Sequence, residues 1–128
     1  MQPNKVLVID DSKLIHKMFS VILPRTAQVT ALDGREALQR LSEHPDVDLI
    51  FLDINMPNMN GLEFLGQVKA DPALCHIPVV IVSTEGKEED TVRGLRGGAA
   101  AYVKKPFRND AILDVVQRLP GPAARQSA

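Results

Sequence analysis

The sequence is poor in cysteine, in net charge and in long hydrophobic runs, and each shortage excludes a class of protein. Cys75 is the one cysteine among 128 residues, so no internal disulfide can form, and a reducing, cytoplasmic setting is expected. A net charge of -1 gives no overall field that would recruit nucleic acid or an anionic membrane. The apolar runs have the length of strands, so we expect neither a membrane-spanning helix nor a signal peptide.

The length of the chain limits the number of domains, and the spacing of its histidines argues against a zinc site. A mass of 14.0 kDa fits one domain with a single buried core, which we predict over residues 1–120. Residues 121–128 are interpreted as a flexible tail or a cut linker, because Pro120–Pro122 interrupts the last helical pattern. Zinc is not expected, since the histidines have no ligand spacing: His16, His44 and His76.

Five strand-sized apolar segments alternate with five helical patterns. Uninterrupted apolar runs are typical of strands buried on both faces of a parallel sheet. The alternation therefore predicts an α/β fold, a doubly wound five-stranded parallel sheet with helices on both faces and right-handed crossovers. The strands are predicted at Lys5–Ile9, Gln28–Leu32, Leu49–Leu52, Ile77–Thr84 and Ala101–Lys104.

Capping patterns predict where three of the helices begin. Asp11 and Ser12 are expected to cap the first helix. The segments Asp33–Glu36 and Asn60–Glu63 have the form of capping boxes before the second and third helices.

The fourth helical pattern, from Glu85 to Gly98, is weaker than the others. Its clearly apolar residues are Val92 and Leu95. Glycines lower its helix propensity by roughly 1 kcal/mol each relative to alanine: Gly94, Gly97 and Gly98. We predict a helix that is held marginally and is able to move.

Polar side chains follow the predicted strands at the edge where the strands end. Because the carboxyl ends of parallel strands share one edge, we expect these side chains to converge. They are Asp10, Asp11, Asp53, Ser83, Thr84 and Lys105. Three neighbouring carboxylates need a counter-charge, and oxygen ligands without histidine or cysteine favour Mg²⁺. Lys105 and Ser83 are suited to bind a phosphoryl group, and Asp53 to accept it as nucleophile.

Four segments in this order resemble the receiver domain of two-component response regulators, with the length and pattern of a stand-alone chemotaxis regulator. The resemblance covers about Lys5 to Leu119 and rests on Val8–Ser12, Asp53–Gly61, Val82–Thr84 and Tyr102–Phe107. It implies a flavodoxin-like sheet with strand order 2-1-3-4-5.

The resemblance also implies a ligand set. Asp53 matches the phosphorylated aspartate. Asp11, Asp53 and the backbone carbonyl of Asn55 match the direct Mg²⁺ ligands, with Asp10 acting through water. Lys105 matches the lysine that neutralises the phosphoryl group, and its bond to the following proline is expected to be cis.

A conformational switch is implied in the same way. Ser83 matches the switch hydroxyl and Tyr102 the aromatic that turns inward with it. Thr84, between them in the switch region, is larger than the residue usual there, and its bulk would restrict the path of water or of a phosphatase side chain. Asn55 and Glu85 match the positions that tune phosphoryl lifetime, and their types predict a short-lived phosphoryl group.

The partners implied are a histidine kinase or phosphotransfer protein and a downstream target. The target would bind the surface formed by the fourth helix, the last strand and the last helix. No direct contact with nucleic acid and no membrane insertion are expected. The chain would be a signalling phosphoacceptor with Mg²⁺-dependent self-phosphorylation and self-dephosphorylation, not an enzyme in the usual sense.

The residues alone leave several alternative functions to be weighed. A receiver cut from a longer regulator with an output domain would look the same. An aspartyl-phosphate phosphatase would need a second aspartate as general acid where Asn55 stands. A flavin-binding protein would need a phosphate loop after the first strand, where Asp10 and Asp11 would repel phosphate. A docking module with an inactive site is disfavoured by the full set of acids, hydroxyl and lysine.

Overall fold

A computed structural model describes residues 1–54, 59–84 and 88–119. Strands and helices alternate as predicted. The strands are β1 (Lys5–Ile9), β2 (Ala27–Ala31), β3 (Leu49–Leu52), β4 (Val79–Thr84) and β5 (Ala101–Lys105). The helices are α1 (Lys13–Ile22), α2 (Gly34–Glu43), α3 (Gly61–Ala70), α4 (Glu88–Arg96) and α5 (Asn109–Arg118). The prediction of a tail at 121–128 lies outside the described residues.

All five strands pair in parallel, in the order β2-β1-β3-β4-β5, which confirms the predicted topology. β1 and β3 lie in the middle, and their side chains are almost entirely excluded from water. This burial explains why their sequences read as unbroken apolar runs rather than alternating ones.

The sheet separates two hydrophobic cores. Leu7, Ile9 and Phe64 belong to the core under α2 and α3. Val8 and Phe19 belong to the opposite core, under α1 and α5, where Phe19 stacks at 4.5 Å between ring centroids on a phenylalanine of β3. Phe64 lies fully buried in the first of these cores and was not predicted from the sequence.

The caps differ from prediction in two places. Asn60 and Glu63 form the complete capping box that the sequence predicted. At α2, the Asp33 side chain accepts the Glu36 N–H, but the Glu36 carboxylate accepts the N–H of Leu32 and so completes no box. At α1, Ser12 holds the N-cap position without a side-chain capping bond, so that part of the prediction was wrong.

The segment from Glu85 to Gly98 contains a helix, as predicted, but that helix ends before the last two glycines. α4 ends at Arg96, and Gly98 follows it with a φ of 110°, a left-handed conformation that favours glycine. Gly97 and Gly98 therefore terminate the helix rather than weaken it. Gly94 is buried in the helix, where an added Cβ would collide with the end of the Ile81 side chain. Its lack of a side chain lets α4 lie close to β4.

In the described part of the chain, no helix combines the length and the apolar character that crossing a bilayer requires.

Candidate functional site

The sheet itself brings the predicted site together. Ile9 and Leu52 are partners in the β1 and β3 register, and the residues that directly follow them are Asp10 and Asp53. Both turns are fixed by backbone bonds: the Asp53 N–H donates to the Ile9 carbonyl at 2.9 Å, and the Asp10 N–H donates to the Ala31 carbonyl at 3.0 Å. The two carboxylates therefore leave adjacent strand ends at the same level.

Three carboxylates meet there, as predicted. One oxygen each from Asp10, Asp11 and Asp53 lies within 4.8 Å of the others. Asp10 and Asp53 are 2% and 5% exposed, whereas Asp11 is exposed. Like charges at this separation repel, and a hard divalent cation with oxygen ligands would relieve the repulsion. The donor set thus fits Mg²⁺, with an open side toward solvent at Asp11.

Lys105 supplies a positive charge to this cluster from the end of β5. Its Nζ lies 2.6 Å from Asp10 Oδ2 and 3.7 Å from Asp53 Oδ1. Asp10 is held in turn by the Ser12 N–H, which donates to its other oxygen at 2.9 Å. Asp10 therefore positions the ammonium beside Asp53, a role that was not predicted from sequence. The bond from Lys105 to Pro106 is cis, as expected.

The two hydroxyls at the end of β4 have different surroundings. Ser83 is fully buried, and its hydroxyl makes a long 3.5 Å contact to the carbonyl of Thr84. Thr84 is exposed and is the register partner of Lys105. Tyr102 on the neighbouring strand β5 is the register partner of Ile81 and is half-buried.

Gly61, the first residue of α3, packs against the backbone of Asp53 and Ile54. Its N–H donates to the Ile54 carbonyl at 2.8 Å, and an added Cβ would collide with the Asp53 carbonyl oxygen. No larger residue fits this first position of α3 without moving the backbone of the phosphoacceptor candidate. The signal for this role in the sequence was the glycine that follows Asn60 in the capping box.

A second feature was missed from sequence: an apolar cavity of about 300 Å³ beside Lys105. It lies between the N-terminal half of α1 and the turn that follows β5. Among the described residues, those that line it are Ile15, Met18, Thr84, Lys105, Pro106 and Phe107. The Pro-Phe pair after Lys105 was visible in the sequence. Its contact with α1, about 90 residues earlier in the chain, depends on how the helices pack and was not.

Two predicted residues lie outside the described part of the chain. They are Asn55, named as a Mg²⁺ ligand and lifetime residue, and Glu85, named as a lifetime residue. Their assignments stay predictions.

Comparison with known proteins agrees with this geometry. Residues 6–117 match the response regulator receiver domain. The chain is 31% identical over 127 residues to a chemotaxis protein CheY homolog of Campylobacter jejuni, covering 97% of this chain and 98% of the relative. It is 36% identical to the solved structure of chemotaxis protein CheY4 of Vibrio cholerae, with a TM-score of 0.82, covering 91% of this chain and 98% of that one.

A longer relative is also similar. The phosphate regulon transcriptional regulatory protein PhoB of Escherichia coli is 38% identical over 106 residues, which cover 81% of this chain but 46% of PhoB. The match to the receiver domain spans most of the present chain, and the strand order and the acidic edge of its sheet are those that the resemblance implied. The chain belongs to the response regulator receiver domain family of two-component signalling proteins.

Proposed function

We propose that this chain is a phosphorylation-controlled switch in which Asp53 accepts a phosphoryl group from a histidine kinase or phosphotransfer protein. One observation carries the proposal: Asp10, Asp11, Asp53 and Lys105 meet at a single edge of the sheet. A nucleophilic carboxylate, an acidic cation site and an ammonium are the groups that transfer of a phosphoryl group to a carboxylate requires.

In the proposed reaction, an Asp53 carboxylate oxygen attacks phosphorus while the bond from phosphorus to the donor's imidazole nitrogen breaks. The electron pair of that bond leaves with the imidazole, so an acyl phosphate forms on Asp53. Lys105, which is 3.7 Å from Asp53 Oδ1 before reaction, stabilises negative charge on the transferred oxygens. Mg²⁺ held by Asp11 and Asp53, with Asp10 acting through water and the Asn55 carbonyl as a further predicted ligand, would supply a second positive charge.

The switch would begin at Ser83. Its hydroxyl is buried and is weakly engaged at 3.5 Å, so a phosphoryl oxygen on Asp53 would offer a better acceptor. Movement of the end of β4 would reach α4, which lies close to β4 through Gly94, and Tyr102 on β5. The surface that would change for a downstream target is therefore α4, β5 and α5.

Intact mass spectrometry tests the chemistry. After incubation with acetyl phosphate and Mg²⁺, the parent should gain one phosphoryl group, and it should gain none when the metal is chelated. Asp53→Asn should gain none under any condition. Asp46→Asn is the matched control, because Asp46 is an exposed aspartate that pairs with Lys5. Equal phosphorylation of the parent and Asp53→Asn would refute the assignment.

The predicted lifetime can be measured on the same sample. Asn55 and Glu85 predict a short-lived phosphoryl group, and persistence of the purified phosphoprotein for many hours would contradict that prediction.

A further inference from the structure

We propose that the apolar cavity beside Lys105 binds the acyl chain of acyl phosphates, and that the chain is therefore phosphorylated faster by longer aliphatic acyl phosphates than by acetyl phosphate. The inference rests on the proposed function, since it concerns the donor that transfers its phosphoryl group to Asp53. It adds a binding site for the acyl chain of the donor, which the acidic cluster does not provide.

The cavity is continuous with the acidic cluster through one side chain. Lys105 is one of the residues that line the cavity, and its ammonium lies 2.6 Å from Asp10 Oδ2 and 3.7 Å from Asp53 Oδ1. A long cationic side chain commonly covers apolar surface with its methylenes in this way. Thr84, the register partner of Lys105, also lines the cavity and is exposed. A ligand in the cavity would thus lie next to a phosphoryl group held by Lys105.

Apolar side chains of α1 and of the turn after β5 form most of the remaining lining. Ile15 and Met18 come from one turn of α1, and Phe107 is fixed by packing at 5.7 Å on Phe19. The volume of about 300 Å³ is ample, because an apolar protein cavity of about 150 Å³ can bind benzene. A short hydrocarbon chain matches this lining, whereas a charged or strongly hydrated group does not.

The chemistry of transfer selects an acyl phosphate among apolar ligands. Attacking and leaving oxygens lie roughly in line through phosphorus, so the leaving group extends away from the Asp53 carboxylate. When Asp53 attacks, the bond between phosphorus and the acyl oxygen breaks, and a carboxylate leaves with the electron pair and needs no proton. Asp10 and Asp11 would repel that anion, whereas Lys105 would attract it toward the cavity.

The test is a homologous series of donors. Acetyl, propionyl and butyryl phosphate release carboxylates of nearly equal basicity, so differences in rate report the apolar chain rather than the leaving group. At fixed Mg²⁺, initial rates of phosphorylation are measured by intact mass as a function of donor concentration. The second-order rate constant should rise by up to about fourfold per added methylene, the ratio that corresponds to full burial of one CH₂ (~0.8 kcal/mol).

Two variants fill the cavity from different elements, and one variant is a control. Met18→Trp on α1 and Thr84→Leu on β4 should each reduce the butyryl-to-acetyl ratio toward one. Val21→Trp places the same large side chain on α1 at a position that is 70% exposed and does not line the cavity. It should keep the parent's ratio. Thermal unfolding of each variant establishes that it is folded before its ratio is used.

A flat series in the parent, with Asp53 still phosphorylated by acetyl phosphate, would overturn the inference and leave the proposed function intact. A rising series that persists in both filling variants would also overturn it, since the chain would then be binding elsewhere. Failure of every donor to phosphorylate Asp53 would refute the proposed function, and the inference with it.

Discussion

The two sides of the site are held in different ways. The β1–β3 side, by which we mean Asp10, Asp53 and Gly61 with their strands, is fixed by buried strands and by backbone contacts. The β4–β5 side, by which we mean Ser83, Thr84, Tyr102 and α4, has a weakly engaged hydroxyl and an exposed threonine. On α4, Val92 and Leu95 remain 47% and 44% exposed.

This difference suits the proposed phosphorylation switch. In that proposal, the group that receives phosphate must keep its position relative to the metal ligands, so backbone contacts are appropriate there. The side that responds must have a second arrangement of similar free energy, so loosely engaged side chains are appropriate there. Lys105 joins the two sides, because it extends from β5 to Asp10 at the end of β1.

The largest expected change in stability comes from removing the ammonium of Lys105. Lys105→Met leaves two buried carboxylates without the ammonium, and we expect the free energy of unfolding to fall by about 2 to 3 kcal/mol in metal-free buffer. The value lies below the range for fully buried pairs because the lysine side chain is 18% exposed. Urea unfolding at neutral pH measures it.

The control for that prediction is an exposed ion pair. Arg118 pairs with Asp114 at 3.1 Å, with side chains 79% and 54% exposed, so Arg118→Met should cost less than about 0.5 kcal/mol. Equal losses in the two variants would mean that Lys105 does not connect the two sides as the distances indicate.

Next in size is a glycine comparison between the two sides. In Gly61→Ala the new methyl meets the backbone of Asp53, so we expect a loss of about 2 kcal/mol in the free energy of unfolding. In Gly94→Ala it meets the end of the Ile81 side chain, which can rotate, and alanine recovers roughly 1 kcal/mol of helix propensity. The net loss should therefore be smaller on the β4–β5 side.

Gly66→Ala is the reference for both substitutions, since nothing lies within 4 Å of its added Cβ. It should raise the free energy of unfolding by about 0.5 to 1 kcal/mol through helix propensity alone. Denaturant unfolding of the three variants gives the order. A loss in Gly94→Ala larger than that in Gly61→Ala would reverse the comparison.

Magnesium should stabilise the β1–β3 side specifically. At a free concentration ten times its Kd, a cation that binds only the folded chain adds about 1.4 kcal/mol. Because Asp11 is exposed, Asp11→Asn should change metal-free stability little and should remove most of the increase caused by Mg²⁺. Thermal unfolding across a Mg²⁺ titration measures this. Asp46→Asn should retain the parent's increase in stability with Mg²⁺. If that variant lost the increase, Mg²⁺ would be binding outside the cluster.

The fold was predictable from sequence where one physical signal dominated. The buried strands were predicted because short apolar runs rich in β-branched residues, such as Val6–Ile9, are typical of strands buried in a parallel sheet. The positions of the carboxylates were then predicted from the ends of those strands. The end of α4 was not found, because Gly98 costs helix propensity equally whether it weakens a helix or terminates it. The pairing of Asp10 with Lys105 across 95 residues was also missed, since it depends on side-chain direction after folding.

The smallest expected effect is a pH dependence of stability that comes from Lys69. This lysine on α3 contacts the segment before β4 at the opposite end of the sheet. Lys69 on α3 donates to the carbonyls of Cys75 and Ile77 just before β4, both at 3.2 Å. Its stem lies against Gly98 in the turn between α4 and β5. Partial burial lowers the pKa of this lysine from its ordinary 10.5, although the nearby Cys75 opposes the shift.

The sign of the pH dependence follows from that direction. Between the folded pKa of Lys69 and 10.5, the unfolded chain binds more protons than the folded chain, so stability contributed by this group rises as pH increases through that window. Subtracting the unfolding free energies of Lys69→Met from those of the parent, from neutral pH to pH about 10, isolates the effect. A difference that falls with pH would mean that the folded chain favours the charged amine, and that the carbonyls outweigh burial in binding it.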